Sequence, residues 1–217
     1  MLSLFIRLMP WMLVTLLTGC AVNSPKDQTA QRQSKPRSIV VLPPLNNSPD
    51  IRASYSFLST VTYPLAELGY YVFPVALVDQ TFKENGMPNP GEMHQVPPQK
   101  LGEIFGADAA LFITIDKYGA TYQILSSAVI VQAKARLVDT RNGQTIWEGS
   151  ASASSDESGG SSSGSLLGMV LNGLIQQVIN NIGDKGHPVA RITSARLLSA
   201  SPGGLLHGPR SPRYGTD

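Results

Sequence analysis

Cysteine is almost absent from this sequence, and histidine is scarce. Cys20 is the only cysteine among 217 residues, which excludes a disulfide within the chain and any metal site built on several thiolates. The three histidines, His94, His187 and His207, lie far apart in the sequence and lack the spacing of zinc ligands. The sequence therefore predicts no metal site and no bound cofactor.

The short motifs of common catalytic sites are also missing. No Gly-x-Gly-x-x-Gly follows the first predicted strand, no phosphate loop is present, and no Gly-x-Ser-x-Gly elbow follows a strand. The carboxylate pairs Asp79 with Glu84 and Asp108 with Asp116 are better explained as exposed helix positions and strand flanks than as acid–base pairs. Basic residues are not interleaved with aromatic residues, which argues against nucleic-acid binding. We expect a protein that is not an enzyme; a hydrolase would require the fold to bring a Ser or Asp beside a His.

Charge is sparse and unevenly distributed. Charged residues make up 15% of the chain, below the roughly 25% that is typical of soluble proteins. The net charge of +2 combines an acidic central part, 38–190, with basic ends at 20–37 and 191–217. Basic ends beside a membrane would be attracted to anionic head groups, whereas solvated linker charges would only aid solubility. The sequence leaves both interpretations open.

One long apolar run is present, and it lies at the N-terminus. Arg7 precedes an apolar segment, 8–17, which has the length of a secretory signal and is too short for a membrane span of about 20 residues. The sequence Leu17-Thr18-Gly19-Cys20 then resembles the bacterial lipobox, in which small residues precede a cysteine that takes a diacylglyceryl group. We predict a signal peptide at 1–19, cleavage between Gly19 and Cys20, and S-diacylglyceryl and N-acyl groups on Cys20. By resemblance to other lipoproteins, Ala21 in place of Asp favours the outer membrane.

The remaining chain divides into five parts by composition. We predict a flexible basic tether at 20–37, an α/β body at 38–150, a Ser/Gly-rich linker at 151–165, an amphipathic helix at 166–183 and a C-terminal tail at 184–217. The helix at 166–183 has an uncharged polar face, so it packs either on the body or on a partner. The predicted strands are 38–42, 70–73, 109–115, 122–138 and 145–150, and the predicted helices of the body are 51–68, 75–85 and 99–105.

This order of elements predicts an α/β (α+β) sandwich in which helices cover a mixed sheet. An aromatic cluster is more typical of a core than of an interface, although tyrosines with one wet end are common at interfaces. Its members are Tyr55, Tyr63, Tyr70, Tyr71 and Phe73.

Several blocks of the sequence resemble a known family. RSIVVLPPLNNS (37–48), PLAELGYYVFPVALVDQTFKENG (64–86), IFGADAALFITIDKYGATY (104–122) and LVDTRNGQTIWEG (137–149) are similar to outer-membrane lipoproteins of Gram-negative bacteria, typified by a neisserial surface antigen of the GNA type. The tail blocks GLLHGP (204–209) and RYGTD (213–217) also match this family's ending. The resemblance implies a body similar to the N-terminal domain of TolB and to curli-secretion lipoproteins.

The same resemblance also implies a function. It implies a role in envelope transport, secretion or assembly, beside a curli-secretion-like lipoprotein partner and with a homodimer as a further possibility. We therefore expect a lipid-anchored protein of the outer membrane that faces the periplasm and works through protein–protein contacts. The alternative is a periplasmic module that binds a small ligand or a peptide such as a cell-wall fragment, with the Pro-rich loop 87–98 as its lid.

Overall fold

The computed structural model describes residues 27–122, 127–156 and 184–216. The predicted signal peptide, Cys20 and the predicted helix 166–183 lie outside these residues. In the described part of the chain, no helix is both long enough and apolar enough to cross a bilayer.

The centre of the described structure is one mixed sheet of six strands in the order β3-β1-β4-β5-β6, with β2 also pairing with β4. The strands β1, β2 and β3 are parallel to their neighbours, whereas β4, β5 and β6 form an antiparallel meander. The strands are β1 (Ser38–Val41), β2 (Leu45–Asn46), β3 (Tyr71–Val72), β4 (Ala109–Tyr122), β5 (Ser127–Asp139) and β6 (Thr145–Ser154).

Two prolines separate β1 from β2 along one edge of β4. Both strands pair with β4, at Val41 against Leu111 and at Leu45 against Thr114. Pro43 and Pro44 lie between them, and proline has no amide hydrogen to donate to a strand ladder. The Pro-Pro pair therefore interrupts the ladder without moving the chain away from the sheet.

Helices lie on both faces of the sheet, and the predicted α/β sandwich with helices covering a mixed sheet is confirmed. On one face, α2 and α6 enclose the larger core with residues such as Phe57, Leu111 and Val189. On the other face, α3, α4 and α5 enclose a smaller core around Phe82 and Leu101. The helices are α1 (Thr29–Ser34), α2 (Ala53–Glu67), α3 (Val75–Glu84), α4 (Pro90–Met93), α5 (Pro98–Phe105) and α6 (Gly186–Leu197).

Two strands are longer than the sequence predicts. The strand predicted at 109–115 continues to Tyr122, with a bulge between Ile115 and Lys117, so Tyr122 ends β4 rather than beginning the next strand. The residues from Asp116 onward are too polar to predict a strand. They extend β4 because they pair with β5, which the local sequence does not reveal. Likewise, 151–154 belong to β6 and not to a linker, since Ala153 is buried and pairs with Val131.

The predicted tether and tail are also partly wrong. Within 20–37, residues 29–34 form α1, and Gln31 is buried against the body. Within 184–217, residues 186–197 form α6, which buries Val189 and Leu197 in the larger core. Residues 20–37 contain hardly any large apolar side chain, so the folding of α1 depends on contacts with distant parts of the chain.

Candidate functional site

The predicted lipidation site and the described structure are separated by a few residues. Cys20 and the cleavage position after Gly19 lie outside the described residues, so both remain predictions. The described chain begins at Asp27 and enters α1 at Thr29. An anchor on Cys20 would therefore attach the body to the membrane through the end at which α1 lies.

A cluster of polar side chains joins α2, β4 and the beginning of α6. The Ser56 hydroxyl donates to Asp184 Oδ2 at 2.7 Å and lies 2.5 Å from the Tyr118 hydroxyl. Tyr118 donates to the two carboxylate oxygens of Asp184 at 3.1 and 2.9 Å. The Gly186 amide donates to Asp184 Oδ1 at 3.0 Å, and His187 Nδ1 lies 3.1 Å from Ser56 Oγ. The carboxylate of Asp184 is thus the centre of the cluster.

The environment of the cluster changes two acid–base equilibria. Burial disfavours the charged form of Asp184, but donors from Ser56, Tyr118 and the Gly186 amide outweigh burial and lower the pKa of the carboxyl group. Burial raises the pKa of the Tyr118 phenol, and the neighbouring Asp184 charge raises it further. At neutral pH the cluster therefore contains a carboxylate and a protonated phenol.

This cluster brings together a Ser, an Asp and a His, which is the combination that a hydrolase would need. In a catalytic triad the His accepts the proton of the Ser, and the Asp orients the His. Here the Ser56 hydroxyl donates to Asp184 directly, so the Nδ1–H of His187 is left to donate to Ser56. The geometry therefore fits a hydrogen-bonded joint between elements and not the activation of a serine nucleophile.

Sequence reasoning missed this cluster because its members are widely separated. Ser56 and Asp184 are 128 positions apart, and neither lies in a motif. One local signal exists at Gly186: a Cβ at this position would lie 2.3 Å from Cε1 of Tyr118. A glycine directly at the start of a helix is thus required by the close approach of a tyrosine ring from β4.

The acidic residues singled out in the sequence have structural roles. Asp108 accepts hydrogen bonds from the Arg37 and Ser38 amides and fixes the start of β1. Asp79 forms an ion pair with Lys83 one turn later on α3, at 2.7 Å. Asp116 lies 3.2 Å from Lys134 on β5. None of these carboxylates joins a proposed acid–base partner.

The histidines do not converge either. His94 Nε2 lies 2.9 Å from the Pro43 carbonyl oxygen, and burial lowers its pKa. His187 belongs to the Asp184 cluster, whereas His207 lies in the C-terminal tail. Among residues 27–122, 127–156 and 184–216, no three His, Cys, Asp or Glu side chains lie together as metal ligands.

The Pro-rich loop predicted as a lid is part of the second core. It contains α4, and Met93 within it is fully buried. The rings of His94 and Phe112 are nearly perpendicular, with their centroids 5.3 Å apart. A segment held by these contacts does not have the mobility of a lid.

The C-terminal tail is fixed between α1 and the end of α2. The Gly208 amide donates to the Leu68 carbonyl at 2.7 Å, and the Arg210 amide donates to the Gly69 carbonyl at 3.0 Å. Gly69 has a φ of +91°, and a Cβ there would lie 2.3 Å from the Ser211 amide nitrogen. Glycine is therefore required at the point where the tail crosses the turn after α2.

A cleft with a volume of about 250 Å³ opens between α1 and this tail. Its walls include Gln31, Arg32 and Lys35 from the N-terminal side and His207 and Tyr214 from the tail. The Leu206 amide donates to Gln31 Oε1 at 3.0 Å, which connects the two walls. The basic ends of the sequence thus meet at one pole of the body.

The aromatic cluster is divided between core and surface. Tyr70 is buried, and its hydroxyl donates to the Leu206 carbonyl at 2.7 Å. Tyr55, Tyr63 and Tyr71 are exposed. The prediction of a core cluster is therefore wrong for these three tyrosines.

Most of the chain matches a known family of lipoproteins. The model of the GNA1162-like family, described as a putative lipoprotein family, matches residues 26–210. The chain belongs to this family of lipoproteins, which confirms the resemblance drawn from the sequence.

Two Neisseria proteins agree with that assignment. The chain is 46% identical over 200 residues to the putative lipoprotein NMB1124/NMB1162 of Neisseria meningitidis serogroup B, covering 91% of this chain and 92% of the relative. The crystal structure of lipoprotein GNA1162 from Neisseria meningitidis shares 50% identity and a TM-score of 0.54, over 67% of this chain and all of that one. The PelC dodecamer from Paraburkholderia phytofirmans is more distant, with 14% identity and a TM-score of 0.44 over 76% of this chain and 88% of that one.

Proposed function

We propose that this protein is a lipid-anchored lipoprotein of the outer membrane whose body acts in envelope transport, secretion or assembly. Acyl chains on Cys20 hold it to the membrane, and the body faces the periplasm and works through protein–protein contacts without enzymatic chemistry. Membership of a lipoprotein family supports the anchor, as does the lipobox-like sequence that ends at Cys20. Two or more acyl chains suffice for stable anchoring.

The proposed function in protein–protein contacts is supported by exposed tyrosine and isoleucine side chains at one edge of α2. Tyr55 and Tyr63 are eight residues apart and lie on the same face of the helix, and they are 45% and 73% exposed. Ile51, in the turn that leads into α2, is 90% exposed. Tyrosine and isoleucine side chains aligned in this way are typical of protein contact surfaces. We name Ile51, Tyr55 and Tyr63 the α2 edge.

A photo-crosslinking experiment tests the α2 edge. A photoreactive amino acid replaces Tyr63 in the full-length protein, and crosslinks are formed in intact cells. We expect a discrete crosslinked protein that is absent when the same amino acid replaces Lys100, an exposed residue of α5. Identical crosslink patterns from the two positions would contradict a contact surface at α2.

The helix predicted at 166–183 is a second candidate for the partner contact. Deletion of residues 164–183 should abolish co-purification with the partner while the body stays folded, as measured by circular dichroism. Unchanged co-purification would exclude this segment as the contact.

The anchor itself is tested by metabolic labelling. Labelled palmitate should enter the wild-type protein and should not enter the Cys20→Ala variant, which lacks the only thiol of the chain. Label in the variant, or no label in the wild type, would contradict the anchor.

The cleft between α1 and the tail favours a second candidate function, the binding of a small ligand. Its volume of about 250 Å³ is slightly below the usual range for ligand pockets, which begins at roughly 300 Å³. A single head group or sugar would fit this space better than a peptide. Thermal unfolding in the presence of a cell-wall amino sugar such as N-acetylmuramic acid tests this candidate, and an unchanged midpoint would argue against it.

A further inference from the structure

The cleft between α1 and the tail has a one-sided charge. Arg32 and Lys35 lie on its N-terminal wall and are exposed, and His207 lies on the wall formed by the tail. No aspartate or glutamate is among the described residues that line it. The nearby carboxylate of Asp139 is occupied by Arg141 and Ser34. The cleft therefore has the electrostatic character of an anion site.

A buried donor on the cleft wall lacks an acceptor. Gln31 is 2% exposed, and its Oε1 accepts a hydrogen bond from the Leu206 amide. Its Nε2 has no hydrogen-bond partner among the described residues. Buried amide donors in folded proteins are nearly always paired. An oxygen-rich anion in the cleft would supply the acceptor that Gln31 lacks.

Lys35 is held at the cleft by an unusual backbone conformation. It ends α1 with a φ of +47°, and its amide donates to the Gln31 carbonyl at 3.0 Å. Lys35 is the one non-glycine residue with positive φ among residues 27–122, 127–156 and 184–216. Glycine usually occupies this position at a helix end. Glycine would adopt this backbone conformation with less strain, but lysine places an ammonium group beside the cleft.

We infer that this cleft binds the phosphate of an anionic phospholipid head group in the membrane that holds the anchor. This inference depends on the anchor proposed above. Eight residues, 20–27, connect Cys20 to Gln28, and even fully extended they span less than about 30 Å. Gln28 donates to the Gly204 carbonyl at 3.0 Å, so the cleft lies at the end of this connection. Arginine and lysine at this pole donate to phosphate oxygens by charge-assisted hydrogen bonds.

The test uses the lipidated protein in lipid nanodiscs. Hydrogen–deuterium exchange is measured over 29–36 and 204–215 in discs of phosphatidylcholine and in discs that contain one third phosphatidylglycerol. A third sample adds millimolar inorganic phosphate to the phosphatidylcholine discs. We expect slower exchange in both segments with phosphatidylglycerol, and unchanged exchange with inorganic phosphate.

Two variants assign the effect to the cleft. Arg32→Gln preserves helix propensity, and Lys35→Gly suits the left-handed backbone, so both should fold. Each should weaken the protection about fivefold, as expected for loss of one cation near an anionic surface. The control Lys100→Gln removes an exposed cation on α5 and should leave the protection unchanged.

Three results would overturn the inference. Equal exchange in the two kinds of disc would exclude the site. Equal protection by inorganic phosphate would assign the cleft to a free anion. An equal loss in the Lys100→Gln control would show unspecific attraction. An intact mass without acyl chains would contradict the proposed anchor but not the lipid site. In that case, binding of the protein to phosphatidylglycerol vesicles but not to phosphatidylcholine vesicles would still support the cleft as a lipid site.

Discussion

The start of α6 depends on the absence of a side chain at Gly186. A methyl group there would lie 2.3 Å from a ring atom of Tyr118, whose ring is buried and hydrogen-bonded to Asp184. We expect Gly186→Ala to lower the free energy of unfolding by about 2 kcal/mol, the usual cost of overpacking. Urea denaturation measures this change.

A matched glycine provides the control for this variant. Gly91 lies in the short helix α4, and a Cβ there would have no neighbour within 4 Å. Gly91→Ala should therefore be neutral or stabilising by up to about 1 kcal/mol. An equal loss of stability in both variants would show that the contact with Tyr118 is not the cause.

Asp139 links stability to pH at the junction of α1 and β5. It is buried, and burial alone would raise its pKa, but hydrogen bonds from Arg141 and Ser34 lower the pKa to about 2. Because the folded state holds this proton more weakly than the unfolded state, the contribution is present above the unfolded pKa and is lost as pH falls. We expect the free energy of unfolding to decrease between about pH 5 and pH 2.

The variant Asp139→Asn isolates that contribution. It should lower stability at neutral pH by about 1 kcal/mol, since Arg141 is exposed and solvent weakens the pair. It should also flatten the fall in stability at acidic pH, as measured by urea denaturation at several pH values. A variant with the wild-type slope would contradict the assignment to Asp139.

At the scale of elements, the segment that follows α6 is part of the fold. The buried Leu205 belongs to the larger core, together with residues of α2 and α6. Leu205→Ala should therefore lower the free energy of unfolding by about 2–4 kcal/mol and make the tail accessible to protease. Leu77→Ala on α3 is the control, because Leu77 is 61% exposed and its loss should change stability by less than about 0.5 kcal/mol. Resistance of the Leu205→Ala tail to protease would contradict this role.

The proline inside α2 shows how neighbouring elements compensate for each other. Pro64 has no amide hydrogen, so the Thr60 carbonyl, four residues earlier, lacks its usual donor. The Ser194 hydroxyl of α6 lies 3.4 Å from this carbonyl oxygen. The helix continues through Pro64 at the point where α6 packs beside it, and the Thr60 carbonyl lies next to a polar side chain of that neighbouring helix.

At the scale of the whole molecule, membrane attachment should have two parts that respond differently to salt. The acyl chains proposed for Cys20 would bind through burial of apolar surface, which salt does not screen. Attraction between the basic cleft and anionic lipids is screened, because the Debye length falls from about 30 Å at 0.01 M to about 3 Å at 1 M salt. We expect the protein to stay in the membrane fraction at 1 M salt, while the exchange protection at 204–215 disappears. Release of the protein by salt alone would contradict the anchor.

The sequence by itself determined the family, the class of fold and the apolar elements. The runs around β1 and β4 and the helices α2 and α3 were predictable because their apolar residues follow the period of a strand or helix. The Asn142-Gly143 turn was predictable for a local reason as well, since Gly143 has a φ of +73°. The prediction for Cys20 also depends only on neighbouring residues, and it stays a prediction.

Only the tertiary structure decided what the polar segments do. Residues 29–34, 151–154 and 186–197 have weak patterns of their own, and they fold because distant strands and helices pair with them. The same holds for the two sites: Ser56 meets Asp184, and Arg32 and Lys35 meet His207, across more than a hundred positions. Proximity of this kind follows from the path of the chain, which no local spacing encodes.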